Sequence, residues 1–219
     1  MNIPIKNKNL LRTALTHRSY LNEHKSVTTH NERLEYLGDA VIELIVSEFL
    51  FKKFTNKPEG DLTAIRSAMV RTETLAKVAT DLELGKKLRM SKGEEASGGK
   101  TNIALLANTF EAVIGALYLD QGFEVVASFL ETHLFTQLNE IMEKALYKDF
   151  KSTLQEAVQA SGKSTPEYKV IKEEGPDHNK IFTVEVTVDD KVLSQGKGKN
   201  KQTAQQQAAA SALEKININ

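Results

Sequence analysis

Residues Asn31 to Glu43 read NERLEYLGDAVIE. Four carboxylates, Glu32, Glu35, Asp39 and Glu43, follow one another at spacings of three, four and four. At about 3.6 residues per turn, that spacing puts all four on one face of a helix. Leu34, Leu37, Val41, Leu44 and Ile45 gather on roughly the opposite face. A solvated amphipathic helix is the plain reading, and two details count against it. Like charges at i,i+3 and i,i+4 each destabilise a helix by roughly a few tenths of a kcal/mol. No Lys or Arg stands between Arg33 and Lys52 to relieve them. An all-acidic row needs a cation from elsewhere, and a bound metal ion is one.

The second informative stretch is 101–119, TNIALLANTFEAVIGALYL. It is apolar almost all round, which marks a buried helix, and its one charge is Glu111. A buried carboxylate without a partner is costly, so it is either protonated or meets a cation. Asn108 lies three residues earlier, on the same face. The pair reads as the second wall of a site whose first wall is the acidic helix. A neutral, hydrogen-bonded core Glu is the alternative, and the acidic helix tips the balance towards metal.

Around these two stretches the pattern is helical as far as about residue 146. Helices are expected over 9–23, from the acidic motif to about 54, over 61–84 and over 123–146. THNE at 29–32 fits a capping box, which gives Glu32 a second role at the helix start. Pro58 is placed to open a helix and Gly85 to close one. SKGEEASGGK at 91–100 lacks the phosphate-cradle pattern and reads as a mobile loop. His17, in THRSY, reads as a hydrogen-bonded structural residue.

After 147 the periodicity changes. A helix over 149–161 is followed by three alternating runs at 168–173, 181–188 and 191–196, and by an Ala- and Gln-rich helix over 200–216. The expected fold class is therefore an all-α unit over 1–147 followed by a small α-β-β-β-α domain over 148–219. From Lys191 to Leu213 there are four Lys (191, 197, 199 and 201) and no Asp or Glu. This is a local basic stripe in a chain with 29 basic and 29 acidic residues.

Composition narrows the rest. A hydrophobic content of 40% supports a real core. The chain has no Cys, which excludes a disulfide framework and thiolate metal sites and fits a reducing cytoplasm. MNIPIKNKNLLRTAL lacks the apolar centre of a secretion signal. No apolar run reads as long and uncharged enough to span a membrane. A cytoplasmic protein without membrane contact and without an organic cofactor is expected.

NERLEYLGDAV, with the upstream ALTHRSY and the later FEAVIGALYLD, resembles the catalytic domain of bacterial ribonuclease III. The tail, STLQEAVQ, PEYKV, GPDHNKIFTVEV and GKGKNKQTAQQQAA, resembles a double-stranded-RNA-binding domain. Together they cover nearly the whole chain. The resemblance implies a divalent-metal site of Glu35, Asp39, Asn108 and Glu111, with Asp39 and Glu111 catalytic. It implies that Glu32 and Glu59 line the acidic valley, and that Tyr36 plugs into the partner subunit of a homodimer. It implies RNA contacts at Ser152, Gln155 and Glu156 of one helix, at His178 in a loop, and at the phosphate-holding Lys201, with Lys197 and Lys199 beside it.

Two positions depart from the family pattern. Residue 108 is Asn where the family has Asp, so metal affinity should be weaker. Residue 202 is Gln where a second Lys is common, so a phosphate contact is lost.

The implied activity is Mg²⁺-dependent hydrolysis of duplex RNA, with Mn²⁺ as a substitute, in processing and decay of rRNA and mRNA precursors. The products would be 5′-phosphate and 3′-hydroxyl ends. Hard oxygen ligands suit that ion, and there is no nucleophile constellation to compete. The duplex is read by shape, 2′-hydroxyls and phosphates rather than by base order. The alternatives are a non-cleaving RNA-binding form disabled at Asn108 and a metal-stabilised helical protein, which leaves the tail unexplained.

Overall fold

The computed structural model describes residues 3–143, 147, 149–176 and 180–216. His178 and the end of the helix expected over 123–146 lie outside them. Contacts divide the chain into two units, Met1–Tyr147 and Lys148–Asn219. The fold class is the expected one.

Among the described residues every regular element of the first unit is a helix: α1 Lys8–Ala14, α2 Tyr20–Glu23, α3 Glu32–Lys53, α4 Glu59–Val70, α5 Thr72–Asp81, α6 Leu84–Lys87, α7 Lys92–Ala96, a 3₁₀ turn Gly99–Thr101, α8 Ile103–Gln121, α9 Phe123–His133 and α10 Gln137–Glu143. α8 is the central element. Its residues Leu106, Ala107, Thr109, Phe110 and everything from Ala112 to Leu117 are buried. At 19 residues and a mean hydropathy of 1.4, α8 is long and apolar enough to cross a membrane by composition, contrary to the reading above. Here it is wrapped by α3, α5 and α1 as the core helix of the unit.

Several expected helices break, each for a visible reason. The stretch 9–23 is two helices because the chain between them pairs with a distant segment. Arg89 N donates to the Leu15 carbonyl and His17 N to the Arg89 carbonyl, both at 2.9 Å. That pairing needs extended backbone, so α1 stops. The stretch 61–84 breaks at Arg71, whose ψ of 154° is extended, and buried Thr74 pins the corner by donating to the Ala68 carbonyl at 2.8 Å. Gly85 does not close a helix. Glu83 takes the left-handed turn (φ 54°) instead, and Gly85 sits inside α6, where a Cβ would stand 2.1 Å from the Lys100 carbonyl oxygen. The expected loop 91–100 contains α7, capped by Ser91 Oγ accepting from Glu94 N at 3.2 Å. Leu44, expected on the buried face of α3, is 60% exposed.

The second unit comprises α11 Phe150–Ala160, β1 Glu167–Glu174, β2 Ile181–Val188, β3 Lys191–Gly198 and α12 Lys201–Ile216; α11 and α12 are the next helices in order. The sheet is antiparallel in the order β1-β2-β3. Asp189 and Asp190 both take positive φ (48° and 62°), which suits the tight hairpin joining β2 to β3. Val186 and Val188 of β2 pack with Leu154 and Val158 of α11 and Ala208, Ala209 and Ala212 of α12. Helix α12 lies directly on β3. A Cβ on Gly196 would stand 2.2 Å from Ala208 N, and one on Gly198 would stand 2.5 Å from Ala204 N.

Candidate functional site

The acidic site depends on two glycines. A Cβ on Gly38 of α3 would stand 1.8 Å from the Glu111 carbonyl oxygen, and one on Gly115 of α8 would stand 2.2 Å from the Leu34 carbonyl oxygen. The helices therefore meet backbone to backbone. Gly115 meets Leu34 while Glu111 meets Gly38, so the register runs antiparallel and one turn per turn. This contact sets the side chains flanking Gly38 on α3, Glu35 and Asp39, beside Glu111 on α8.

The electrostatics report that proximity. Burial pushes the Glu111 carboxyl up to about 7, helped by the charges of Asp39 and then Glu35. Glu35 is also raised, first by burial and then by Glu32 and Asp39. Among the described residues none of Glu35, Asp39 and Glu111 has an ion pair. Three carboxylates without a cation form the local charge excess that the sequence pattern suggests. As they stand, no three His, Cys, Asp or Glu side chains among the described residues are close enough together to hold a metal ion.

Asn108, half-buried, lies one turn before Glu111 on the same face of α8 and makes no hydrogen bond among the described residues. Glu32 stands at the end of the row, 3.2 Å from Arg18 and 3.8 Å from His30. It forms no capping box: the N-cap Asn31 has no side-chain bond to the helix start. Glu59 is elsewhere. It accepts from Thr63 Oγ1 at 2.9 Å and lines a cleft with Ser47, Phe51 and Arg66. Ser47 is eight residues past Asp39, about 12 Å along α3.

Tyr36 is 83% exposed, and Leu44 and Phe51 are 60% and 74% exposed. These three lie roughly 160–240° around α3 from Gly38, a stripe turned away from the core.

In the second unit, Asp149 caps α11, accepting from Ser152 N at 3.2 Å and Ser152 Oγ at 2.8 Å. Gln206 of α12 donates to the same carboxylate at 2.9 Å. These bonds, Gln206 first, hold Asp149 below its usual range. Ser152, Gln155 and Glu156 are exposed on α11. Ser152 and Gln155 share a cleft of about 420 Å³ with Tyr168, Gln202 and Gln206, so the first turns of α11 and α12 present one continuous polar surface. Lys197, Lys199 and Lys201 are exposed. Asn200 caps α12 by accepting from Thr203 N at 2.8 Å, and Lys201 Nζ lies 5.8 Å from the centre of the Phe182 ring.

Known proteins share both units. Residues 7–138 match the ribonuclease-III-like family and residues 150–216 the double-stranded RNA binding motif. Ribonuclease 3 of Oceanobacillus iheyensis is 47% identical over 219 residues, covering 99% of this chain and 95% of that protein. The chain belongs to the ribonuclease III family. Ribonuclease 3 of Geobacillus kaustophilus is 48% identical, over 98% of this chain and 87% of its own. The nuclease domain of ribonuclease III from Campylobacter jejuni superposes with a TM-score of 0.55 at 44% identity, covering 59% of this chain and 87% of that one.

Three kinds of residue in this ribonuclease III chain carry little or no signal along the sequence. Gly38 lies inside the acidic motif, but a glycine in a helix announces a close approach only when its opposite number is known. Asp149 is a cap whose signal, an acid ahead of a helix, was available. The exposure of Leu44 and Phe51 had a weak signal in the helical phase that they share with Tyr36.

Proposed function

We propose that this chain is a double-strand-specific endoribonuclease whose helical unit hydrolyses phosphodiesters with Mg²⁺ and whose second unit holds the duplex. The observation that supports it most is the backbone contact of Gly38 with Glu111, which brings Glu35 and Asp39 close enough to raise the Glu111 carboxyl, with no ion pair to any of the three among the described residues. Glu35, Asp39 and Glu111, with the Asn108 amide oxygen, make a set of hard oxygen donors without thiolate or imidazole, and that chemistry fits Mg²⁺, with Mn²⁺ as a substitute. When bound, the ion supplies a water nucleophile at neutral pH and offsets charge on the phosphate oxygens.

The chain's own groups prepare this. Asp39 and Glu35 set the negative field. Burial and the charges of Asp39 and Glu35 raise the Glu111 carboxyl to about 7, so a cation bound beside it would displace its proton and relieve the repulsion. Asn108 leaves the four-residue set with three potential negative charges rather than four, which lowers affinity for the ion without removing a ligand. Family membership at near-complete coverage favours an active enzyme over a disabled form. Ser152, Gln155 and Glu156, with Lys197, Lys199 and Lys201, form the RNA face. The exposed stripe Tyr36, Leu44 and Phe51 is the surface through which two copies pair, and Glu59 and Glu32 add acidity along the valley of the pair.

The test is direct. Purified protein is incubated with a labelled RNA duplex, single-stranded RNA and the matching DNA duplex, with and without Mg²⁺. Cleavage of the RNA duplex alone, giving 5′-phosphate ends and dependent on the metal, is the expected result. An RNA duplex left intact at every metal concentration, by this chain and by Asn108→Asp, refutes the nuclease reading.

A further inference from the structure

An acidic valley repels the polyanion it is meant to receive, so the helical unit must meet the duplex backbone with positive charge close by. Two turns beyond Asp39 on α3, Ser47 holds a guanidinium. Ser47 Oγ donates to the Glu43 carbonyl at 2.6 Å and accepts from Arg66 Nη1 of α4 at 2.9 Å. Both roles of the hydroxyl are used, so the Arg66 head is aimed rather than free to sweep.

Arg66 is half-buried in the wall of a cleft of about 290 Å³ that it shares with Ser47, Phe51, Glu59 and Thr63. No carboxylate pairs with it among the described residues. Glu59, in the same cleft, is engaged by Thr63. A guanidinium carries five N–H donors, and among the described residues one of those on Arg66 has a partner. A fixed, half-buried cation with donors to spare, in a cleft at the edge of the stripe assigned above to subunit pairing (Phe51 belongs to both), suits an oxyanion that accepts two parallel hydrogen bonds.

We propose that Arg66 anchors a non-scissile backbone phosphate of the bound duplex, about 12 Å along α3 from Asp39, with Ser47 as its positioning residue. The inference rests on the nuclease reading. The competing occupant of the cleft is a carboxylate of a second copy of the chain, and the experiment separates the two.

Duplex-RNA affinity is measured across a range of KCl in a Glu111→Gln background, which is expected to bind without cutting. Arg66, Arg66→Ala, Arg66→Lys and Ser47→Ala are compared, with sedimentation velocity and a thermal melt on the same samples. Arg66→Ala is expected to weaken binding about tenfold and to lower the logarithmic salt slope by about 0.9, the value for one phosphate contact. Arg66→Lys should keep the slope and lose part of the affinity, because the point charge remains and the fork does not. Ser47→Ala should fall between, with its slope intact. Sedimentation and melting should match the parent. An Arg66→Ala slope equal to the parent's overturns the proposal, and so does a shift to a lighter species on sedimentation, which assigns Arg66 to a subunit contact. If the Glu111→Gln parent itself fails to bind duplex RNA, the nuclease reading falls and takes this inference with it.

Discussion

Gly38 and Glu111 touch through their backbones: the Cβ that any other residue would bring to position 38 falls 1.8 Å from the Glu111 carbonyl oxygen. No rotamer change relieves that overlap, because both partners are main chain. Gly38→Ala must push α3 and α8 apart. Overpacking of this kind costs about 1–3 kcal/mol, and for a chain of this size each kcal/mol is about 2–4 °C in Tm. A melt in EDTA should show that loss, and single-turnover cleavage should fall further than the stability does, because the two acidic walls separate. A Gly38→Ala protein with parental Tm would show that the helices do not meet this closely.

The protonation of Glu111 gives a pH dependence of definite sign. Its carboxyl is raised from 4.5 to about 7 in the folded chain. The folded state therefore holds a proton that the unfolded state has already released. The stability linked to that proton is full below about pH 4.5 and is lost as pH rises through about 7. Glu35 is raised too and adds in the same direction. In EDTA, Tm should fall between about pH 5 and pH 8, and Glu111→Gln should flatten the fall. A Tm that climbs over that range in the parent alone would contradict the placement of Glu111 beside Asp39.

Asn108→Asp restores a fourth carboxylate. It should lower the Mg²⁺ concentration for half-maximal cleavage about tenfold and raise Mg²⁺ affinity in titration calorimetry, because a charged oxygen replaces a neutral one. The same substitution should lower Tm in EDTA by adding repulsion to the row. Unchanged affinity and unchanged Tm together would place residue 108 outside the cluster.

Lys197 at the end of β3, Lys199 in the connection and Lys201 at the start of α12 should behave as phosphate contacts. Lys201→Ala, Lys197→Ala and Lys199→Ala are each expected to weaken duplex binding at all sequences alike and to reduce the salt slope by about 0.9. Gln202→Lys should raise the slope by a similar amount. Filter binding across 50–300 mM KCl reads this, and slopes that ignore all four substitutions would move the RNA face away from α12.

Leu44→Asp or Phe51→Asp puts a charge into the exposed stripe of α3. Neither side chain supports the core of its own unit, being 60% and 74% exposed, so Tm should barely move. Sedimentation should show the loss of a dimer at micromolar protein. A parent that sediments as a monomer would remove the stripe's assigned role.

The sequence alone determined more of this protein than its helix boundaries suggest. The carboxylate spacing in NERLEYLGDAVIE, the single charge in an otherwise apolar α8 and the acid-free lysine stripe are local patterns. Local patterns survive in sequence because helix periodicity is itself local. The same reasoning failed wherever a distant partner overruled it. Arg89 interrupts the helix expected over 9–23 by pairing with Leu15 and His17, and Thr74 bends the chain at Arg71. Gly85 is claimed by the Lys100 carbonyl rather than by a helix end. Only the tertiary structure decided which carboxylates meet. Glu35, Asp39 and Glu111 share one field because two glycines, 77 positions apart in sequence, Gly38 and Gly115, let two backbones touch. Glu59, also a carboxylate, lines another cleft of the same unit with Arg66. Charge can be counted along a chain, but the energy of a charge depends on distance and burial, and those are properties of the fold.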